Sequence, residues 1–238
     1  MTRSLLARTL LSIAILTFGS APVRAQEAAT GPARFAAEIK AFAEWDSKNA
    51  VPQDSVLFVG SSTIRLWPTS DRFPGLPIVN RGFGGSQITD VNHYLQETVL
   101  KYRPAVVVFY AGDNDINDGK SPEQVRNDFR TFAQRVRSAR ADTRIIYLPI
   151  KPSVARWALW SKMQAANDAI HGYITGYSAS NPANPLLIYA DVATPMLTPG
   201  GETQPHLYIA DGLHMSDAGY DIWTRVLTPI IDGARKAR

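Results

Sequence analysis

Five short apolar runs, separated by segments of helical periodicity, constrain the fold of this chain more than any other feature. The run at 106–110 reads Val-Val-Val-Phe-Tyr and has no strongly polar residue on either face. Such near-continuous hydrophobicity is typical of parallel strands that are covered on both faces. We therefore predict an α/β domain with right-handed crossovers. The predicted strands span residues 55–60, 77–80, 105–111, 144–150 and 186–190.

Helical patterns fill the gaps between these runs. Residues 32–50 predict an amphipathic helix, and Ser121 with Gln124 forms the capping-box pattern of a second helix. The last helix is expected to begin near Ser216, and Pro229 is expected to kink or divide it. Strand and helix thus alternate along one domain.

The first 25 residues have the pattern of a cleavable secretion signal. Arg3 and Arg8 precede an apolar run at 10–18, and small residues lead to Ala25. This run is shorter than the roughly 20 apolar residues that a membrane span needs. We therefore expect a leader at 1–25, a domain at 26–238, and a secreted or periplasmic protein without a stable membrane span. A retained anchor is the alternative.

Composition narrows the classes of partner and cofactor. The chain has no cysteine, which excludes disulfides and cysteine-ligated metals. Loss of the leader removes three of the 25 basic side chains, against 21 acidic ones, and leaves a net charge of about +1. Without a dense basic cluster we expect no nucleic-acid partner. Three of the four histidines, His93, His171 and His206, are dispersed along the sequence and form no visible set of metal ligands. We therefore expect neither a metal nor another cofactor.

Candidate chemistry follows the predicted strands, because functional groups of such sheets collect beyond the carboxyl ends. Ser62 comes directly after the first strand, behind a glycine that permits a sharp turn. Its hydroxyl can lie at a helix N-terminus, whose positive end favours a developing oxyanion. A serine at such a place is more often only a helix cap.

Near the C-terminus, Asp211 and His214 are three residues apart, so one turn can bring both into a single site. A serine hydroxyl is a poor nucleophile until a base accepts its proton, and the base works best when a third group orients it. Taken alone, this spacing is more often a cap beside a surface histidine.

Two further loops offer donors for an oxyanion. Gly85 lies in a glycine loop after the second strand, and Asn114 follows the third strand. Each loop alone can also be a glycine turn or a capped helix start. The acidic run at 113–119 invites a calcium-loop interpretation, but its glycine comes one place late and Gln124 stands where a glutamate is needed. We therefore expect these side chains to act as caps.

These four segments, which contain Ser62, Gly85, Asn114 and the pair of Asp211 and His214, together resemble the SGNH (GDSL-like) hydrolase family. The resemblance extends over residues from about 55 to 220. The resemblance implies a three-layer αβα sandwich with a flavodoxin-like parallel sheet of about five strands. It also implies a catalytic triad of Ser62, Asp211 and His214. The implied oxyanion hole consists of Ser62, Gly85 and Asn114. The family's usual Gly-Asp-Ser is here Gly60-Ser61-Ser62, so this chain lacks the aspartate that usually precedes the nucleophile.

The expected activity is hydrolysis of short acyl or acetyl esters, on a small molecule or a polysaccharide. Lysophospholipase and thioesterase activity are alternatives within the same chemistry, and a non-catalytic carbohydrate- or envelope-binding protein is an alternative from another class. The ordinary α/β-hydrolase elbow is set aside because Ile64 stands in place of its second glycine. Trp157 and Trp160 are expected either to line a substrate pocket or to pack in the core.

Overall fold

The computed structural model describes residues 30–180, 182–183 and 185–237, so the predicted leader at 1–25 lies outside the described residues. Within these ranges, five parallel strands form one sheet in the order β2-β1-β3-β4-β5. The predicted α/β class and five-stranded parallel sheet are confirmed. The strands are β1 (Val56–Gly60), β2 (Ile78–Gly82), β3 (Val106–Tyr110), β4 (Arg144–Tyr147) and β5 (Leu187–Tyr189).

Helices connect the strands and cover both faces of the sheet. Short 3₁₀ turns occur at Gly31–Phe35, Leu100–Tyr102, Trp157–Leu159, Thr194–Met196 and Pro205–Leu207. The helices are α1 (Ala36–Lys48), α2 (Ser62–Arg65), α3 (Thr69–Arg72), α4 (Ile88–His93), α5 (Leu95–Thr98), α6 (Asp113–Asn117), α7 (Pro122–Ala139), α8 (Trp160–Ser178) and α9 (Asp217–Lys236).

Two hydrophobic cores lie on the two faces of the sheet, because alternate residues of a strand point to opposite sides. Leu57 and Val59 of β1 pack into a core with α1, α4, α7 and α8. Val56 and Phe58 pack into the other core with α2 and α9. The molecule therefore has the three layers that the family resemblance implies. Among the described residues, no helix is both long and apolar enough to cross a bilayer.

Two strand ends differ from the predictions by more than one residue. β2 continues past residue 80, because the buried Arg81 is accommodated by Asp46, which accepts a hydrogen bond from its Nη2 at 2.5 Å. β4 ends at Tyr147 rather than at residue 150. Beyond this end, the Asn167 carboxamide takes the place of a neighbouring strand. Its oxygen accepts from the Ile150 N–H at 2.7 Å, and its nitrogen donates to the Ile150 carbonyl at 2.9 Å.

The two helix starts predicted from capping residues agree with the structure, whereas the helix predicted at 32–50 begins as the 3₁₀ turn at Gly31–Phe35 and becomes α-helical at Ala36. Ser121 and Gln124 form a reciprocal capping box at α7. Ser216 caps α9, which runs through Pro229 without being divided, since Leu227 and Ile231 pack into one core on either side of the proline.

Candidate active site

The turn after β1 presents Ser62 at the carboxyl edge of the sheet. Gly60 has a φ of +139°, and a Cβ at this position would lie 1.7 Å from the carbonyl oxygen of Tyr110. Only glycine therefore lets β1 approach β3 so closely. The Ser61 N–H then donates to the same Tyr110 oxygen at 3.0 Å, and Ser62 begins α2 as its first residue.

The three side chains of the expected triad lie in one connected line. His214 Nε2 is 2.9 Å from Ser62 Oγ, although the two residues are 152 positions apart. His214 Nδ1 is 2.6 Å from Asp211 Oδ2. This arrangement allows a proton to pass from the hydroxyl to an imidazole whose orientation is set by a carboxylate.

Asp211 is held in its ionised form by the loop that carries it. Its Oδ1 accepts hydrogen bonds from the Leu213 and His214 N–H groups, each at 2.9 Å. Partial desolvation raises the pKa of Asp211, but the hydrogen bonds from the His214 ring and from these two N–H groups together lower it to about 2. The carboxylate is thus negatively charged at any neutral or mildly acidic pH.

The loop before α9 fixes the position of His214. The Ile209 N–H donates to the carbonyl of His214 at 2.9 Å, and Tyr208 forms an antiparallel bridge with Met215. These bonds close a compact turn around the imidazole. The ring is partly exposed, with 26% of the side chain accessible, which leaves it open to a substrate.

The loops after β2 and β3 meet beside this site. Asn114, in the first turn of α6, donates from Nδ2 to the carbonyl of Ser86 at 3.1 Å. Gly85 has a φ of +76°, and a Cβ at this position would have no atom within 4 Å, so the space where a side chain would lie is open. Among the described residues, no group accepts a hydrogen bond from the N–H of Ser62 or of Gly85. These N–H groups are available as donors.

The acidic run at 113–119 serves the protein's own hydrogen bonding. Asp115 is fully buried, accepts from the Ile88 N–H at 3.2 Å and pairs with Lys120 at 2.8 Å. Burial raises the pKa of Asp115 to about 6, and the hydrogen bond from Lys120 opposes that rise. Asp118 accepts from Gln87 Nε2 at 2.7 Å. These bonds fasten the glycine loop to α6.

Two cationic residues of the loop after β4 were not predicted for the site. Lys151 is 1% exposed, and its Nζ lies 6.0 Å from the ring centroid of Tyr110 and 5.9 Å from that of Tyr208. Burial lowers the pKa of Lys151 to about 8. Arg156 contacts Asp113 and Asn114, each at 2.9 Å. Their only signal in the sequence is their place beyond the carboxyl end of a strand.

The two tryptophans of the following segment have different environments. Trp160 is 9% exposed and belongs to a core, whereas Trp157 is 38% exposed. Their rings stack with centroids 6.1 Å apart. Core packing therefore explains Trp160, and Trp157 remains available at the surface.

Comparison with known proteins assigns the chain to a family. The model of the GDSL-like lipase/acylhydrolase family matches residues 65–222. The chain belongs to the GDSL-like lipase/acylhydrolase family. The matched region contains Asp211, His214 and Asn114, and it begins three residues after Ser62. The predicted family membership is confirmed, and it supports hydrolase activity on esters.

Solved structures of a GDSL-like lipase and of two esterases share this fold at low sequence identity. A GDSL-like lipase from Bacteroides thetaiotaomicron is 21% identical with a TM-score of 0.69, covering 82% of this chain and 98% of its own. A carbohydrate esterase of family 3 from Talaromyces cellulolyticus is 18% identical with a TM-score of 0.59, covering 77% and 99%. An acetyl-xylooligosaccharide esterase variant from Geobacillus stearmophilus is 16% identical with a TM-score of 0.59, covering 76% and 95%. No curated protein matches the chain.

Proposed function

We propose that this protein is a serine esterase that hydrolyses short acyl or acetyl esters, including esters of carbohydrates. Ser62 is the nucleophile, His214 the general base and Asp211 the group that orients the base. The observation that carries this proposal is the continuous line of contacts, 2.9 Å from Ser62 Oγ to His214 Nε2 and 2.6 Å from His214 Nδ1 to Asp211 Oδ2.

In the acylation step, His214 Nε2 accepts the Ser62 hydroxyl proton while Oγ attacks the acyl carbon. The carbonyl π bond becomes an oxyanion, which the N–H groups of Ser62 and Gly85 and the Nδ2 group of Asn114 stabilise. When the intermediate collapses, the bond to the alkoxy oxygen breaks. The imidazolium gives its proton to that oxygen, and the alcohol leaves.

In the deacylation step, water replaces the alcohol. His214 accepts a proton from the water, the resulting hydroxide adds to the acyl carbon, and the same donors hold the second oxyanion. Collapse of this intermediate breaks the bond to Ser62 Oγ, which regains the proton from the imidazolium. The carboxylic acid leaves, and the free enzyme is restored.

A short acyl group on a carbohydrate is favoured by two observations. Two of the structural neighbours are esterases of carbohydrates, and one of them acts on acetyl-xylooligosaccharides by its name. On this chain, the partly exposed Trp157 directly follows Arg156 in the sequence, and Arg156 contacts Asn114 of the site. An exposed indole face is a suitable surface for the apolar side of a sugar ring.

Hydrolysis of p-nitrophenyl acetate tests the nucleophile, with the neighbouring serine as a matched control. We expect Ser62→Ala to lower kcat by at least about 10³-fold, because the attacking oxygen is lost. Ser61→Ala should stay within a few-fold of wild type, since its buried Oγ has no hydrogen-bond partner among the described residues. Equal rates for wild type and Ser62→Ala would favour a binding protein over an enzyme.

A substrate panel then distinguishes the esterase from its alternatives. Acetylated xylooligosaccharides, p-nitrophenyl esters of increasing acyl length, a lysophospholipid and an acyl thioester are compared by kcat/KM. We expect the acetyl esters to be hydrolysed with the highest kcat/KM. A clear preference for the lysophospholipid or the thioester would reassign the substrate while leaving the triad in place.

We also propose that the protein is exported and that its first 25 residues are removed. The proposal rests on the two arginines, the apolar run and the small residues of the N-terminal sequence. Export would bring the enzyme to polymeric or envelope esters. N-terminal sequencing of the protein from the periplasm or medium should give a start near Gln26, and an intact Met1 terminus on the cell membrane would show a retained anchor instead.

A further inference from the structure

The loop after β4 reaches across to the proposed oxyanion hole through the side chain of Arg156. Arg156 donates from Nη2 to Asn114 Oδ1 and from Nη1 to Asp113 Oδ2, both at 2.9 Å. The guanidinium is planar, so these two bonds run in one plane toward two consecutive residues of α6. Arg156 therefore binds the first turn of α6, the helix that carries the carboxamide of the proposed oxyanion hole.

Hydrogen-bond chemistry fixes which way the Asn114 carboxamide faces. A guanidinium only donates, so the atom that faces Arg156 has to be the amide oxygen. The Ser86 carbonyl only accepts, and Asn114 Nδ2 donates to it at 3.1 Å. One hydrogen of Nδ2 is thus used on Ser86, and the second is left for a ligand. A carboxamide turned by 180° would present its oxygen to Ser86 and two repelling donors to Arg156.

Asp113 keeps the guanidinium in this position. The Arg156 and Asp113 side chains are 14% and 6% exposed, so their ion pair is largely shielded from water. Because water has little access to the two hydrogen bonds of Arg156, it competes only weakly with them, and the guanidinium keeps its orientation. Asp113 also neutralises a positive charge that would otherwise lie unpaired under the site.

The same loop is tied to the triad from its other side. The Ala155 N–H, next to Arg156, donates to the Gly212 carbonyl at 3.0 Å. Tyr208 Oη donates to the Pro152 carbonyl at 2.7 Å. The loop therefore contacts both the segment that carries Asp211 and His214 and the amide of the oxyanion hole.

We propose that Arg156 is a positioning residue, which orients the Asn114 carboxamide so that Nδ2 faces the oxyanion. This inference rests on the proposed esterase function. Arg156 acts through Asn114 and makes no contact with the reacting atoms. Its contribution should therefore appear in kcat and should vanish when the Asn114 amide is absent.

A double-mutant cycle on p-nitrophenyl acetate hydrolysis tests the proposal in the full chain, with Asn114→Ala, Arg156→Met and the double variant. We expect Asn114→Ala to lower kcat about 100-fold, as loss of an oxyanion donor does. Arg156→Met should lower kcat roughly tenfold with KM changed less than about twofold. The double variant should match Asn114→Ala within about twofold, because the arginine then has no amide to orient.

Two further variants separate positioning from charge and from folding. Arg156→Lys keeps the positive charge beside Asp113 but cannot fork, so we expect it to recover only part of the lost kcat. If Arg156→Met does not fold, as judged by thermal unfolding, the cycle is completed with Arg156→Lys. Arg140→Met is the matched control: this arginine pairs with Asp54 and Asp142 at the opposite end of the strands and is 19% exposed. It should leave kcat unchanged.

Each contrary outcome has a distinct meaning. If Arg156→Met lowers kcat by the same factor with and without Asn114, the arginine acts directly and the positioning role is wrong. If Arg156→Met leaves kcat unchanged while Asn114→Ala lowers it, the positioning role is also wrong, and the proposed function stands. If Asn114→Ala has no effect while Ser62→Ala is inactive, both the oxyanion role of Asn114 and the positioning of it are overturned.

Discussion

Asp211 is the residue whose charge most directly affects the proposed general base. Its pKa of about 2, set by hydrogen bonds from the His214 ring and two backbone N–H groups, keeps it ionised wherever the enzyme would work. We expect Asp211→Asn to lower kcat by about 10³- to 10⁴-fold on p-nitrophenyl acetate, because a neutral amide neither stabilises an imidazolium nor secures the ring tautomer. A loss below tenfold would mean that His214 needs no carboxylate.

The lowered pKa of Asp211 also makes the free energy of unfolding depend on pH. The stabilising effect of the carboxylate is fully present above its ordinary pKa of 3.8 and is lost as the pH falls through about 2. The difference in Tm between wild type and Asp211→Asn should therefore shrink as the pH falls from about 4 to about 2. A difference that stays the same from pH 5 down to pH 2 would contradict this assignment.

At the scale of elements, the contact between the loop after β4 and the loop before α9 depends on Gly212. Gly212 has a φ of +64°, and a Cβ there would lie 3.2 Å from the Cβ of Val154. We expect Gly212→Ala to lower the free energy of unfolding by about 1–2 kcal/mol through backbone strain. It should also lower kcat, since the loop holding Asp211 and His214 has to shift away from Val154.

A second glycine offers the control for that prediction. Gly201 has a similar φ of +80° but no atom within 4 Å of a built Cβ. Gly201→Ala should therefore show a comparable loss of stability in urea unfolding with kcat unchanged. If both variants retain wild-type kcat, the packing of the two loops does not position the triad.

At the scale of the whole molecule, Lys151 makes global stability depend on alkaline pH. Its pKa is about 8 in the folded protein against 10.5 ordinarily, because it is buried. Below pH 8 the fold bears the full penalty of an enclosed ammonium, on the order of 3 kcal/mol. Between about pH 8 and 10.5 the folded protein releases this proton before the unfolded chain does, so the penalty is relieved as the pH rises.

Lys151→Met tests this account through urea unfolding at pH 7 and pH 9.5. We expect the variant to be more stable than wild type by about 1–3 kcal/mol at pH 7, because an apolar side chain of similar length fills the same space. The difference should narrow at pH 9.5. The exposed Lys162→Met serves as the control and should show no such change. A stability difference that is the same at both pH values would be inconsistent with the lowered pKa.

Much of the architecture is encoded locally and could be predicted from the sequence. The apolar runs fix the strands, since a segment buried on both faces needs no polar residue. The capping box of Ser121 and Gln124 depends on residues three positions apart, and it forms as predicted. Ser62, Gly85 and Asn114 come after β1, β2 and β3, so they lie at one edge of the sheet, because parallel strands end there.

The remaining features depend on groups that are distant in the chain, and only the tertiary structure decided them. Arg81 lies within β2 because Asp46 and Tyr102 accept hydrogen bonds from its guanidinium. β4 ends three residues earlier than predicted, and Asn167 bonds to the N–H and the carbonyl of Ile150 in place of a neighbouring strand. Arg156 meets Asn114 across 42 positions of sequence. No periodicity or propensity encodes such pairs, because the free energy of each contact arises only when folding has brought both partners together and excluded water from between them.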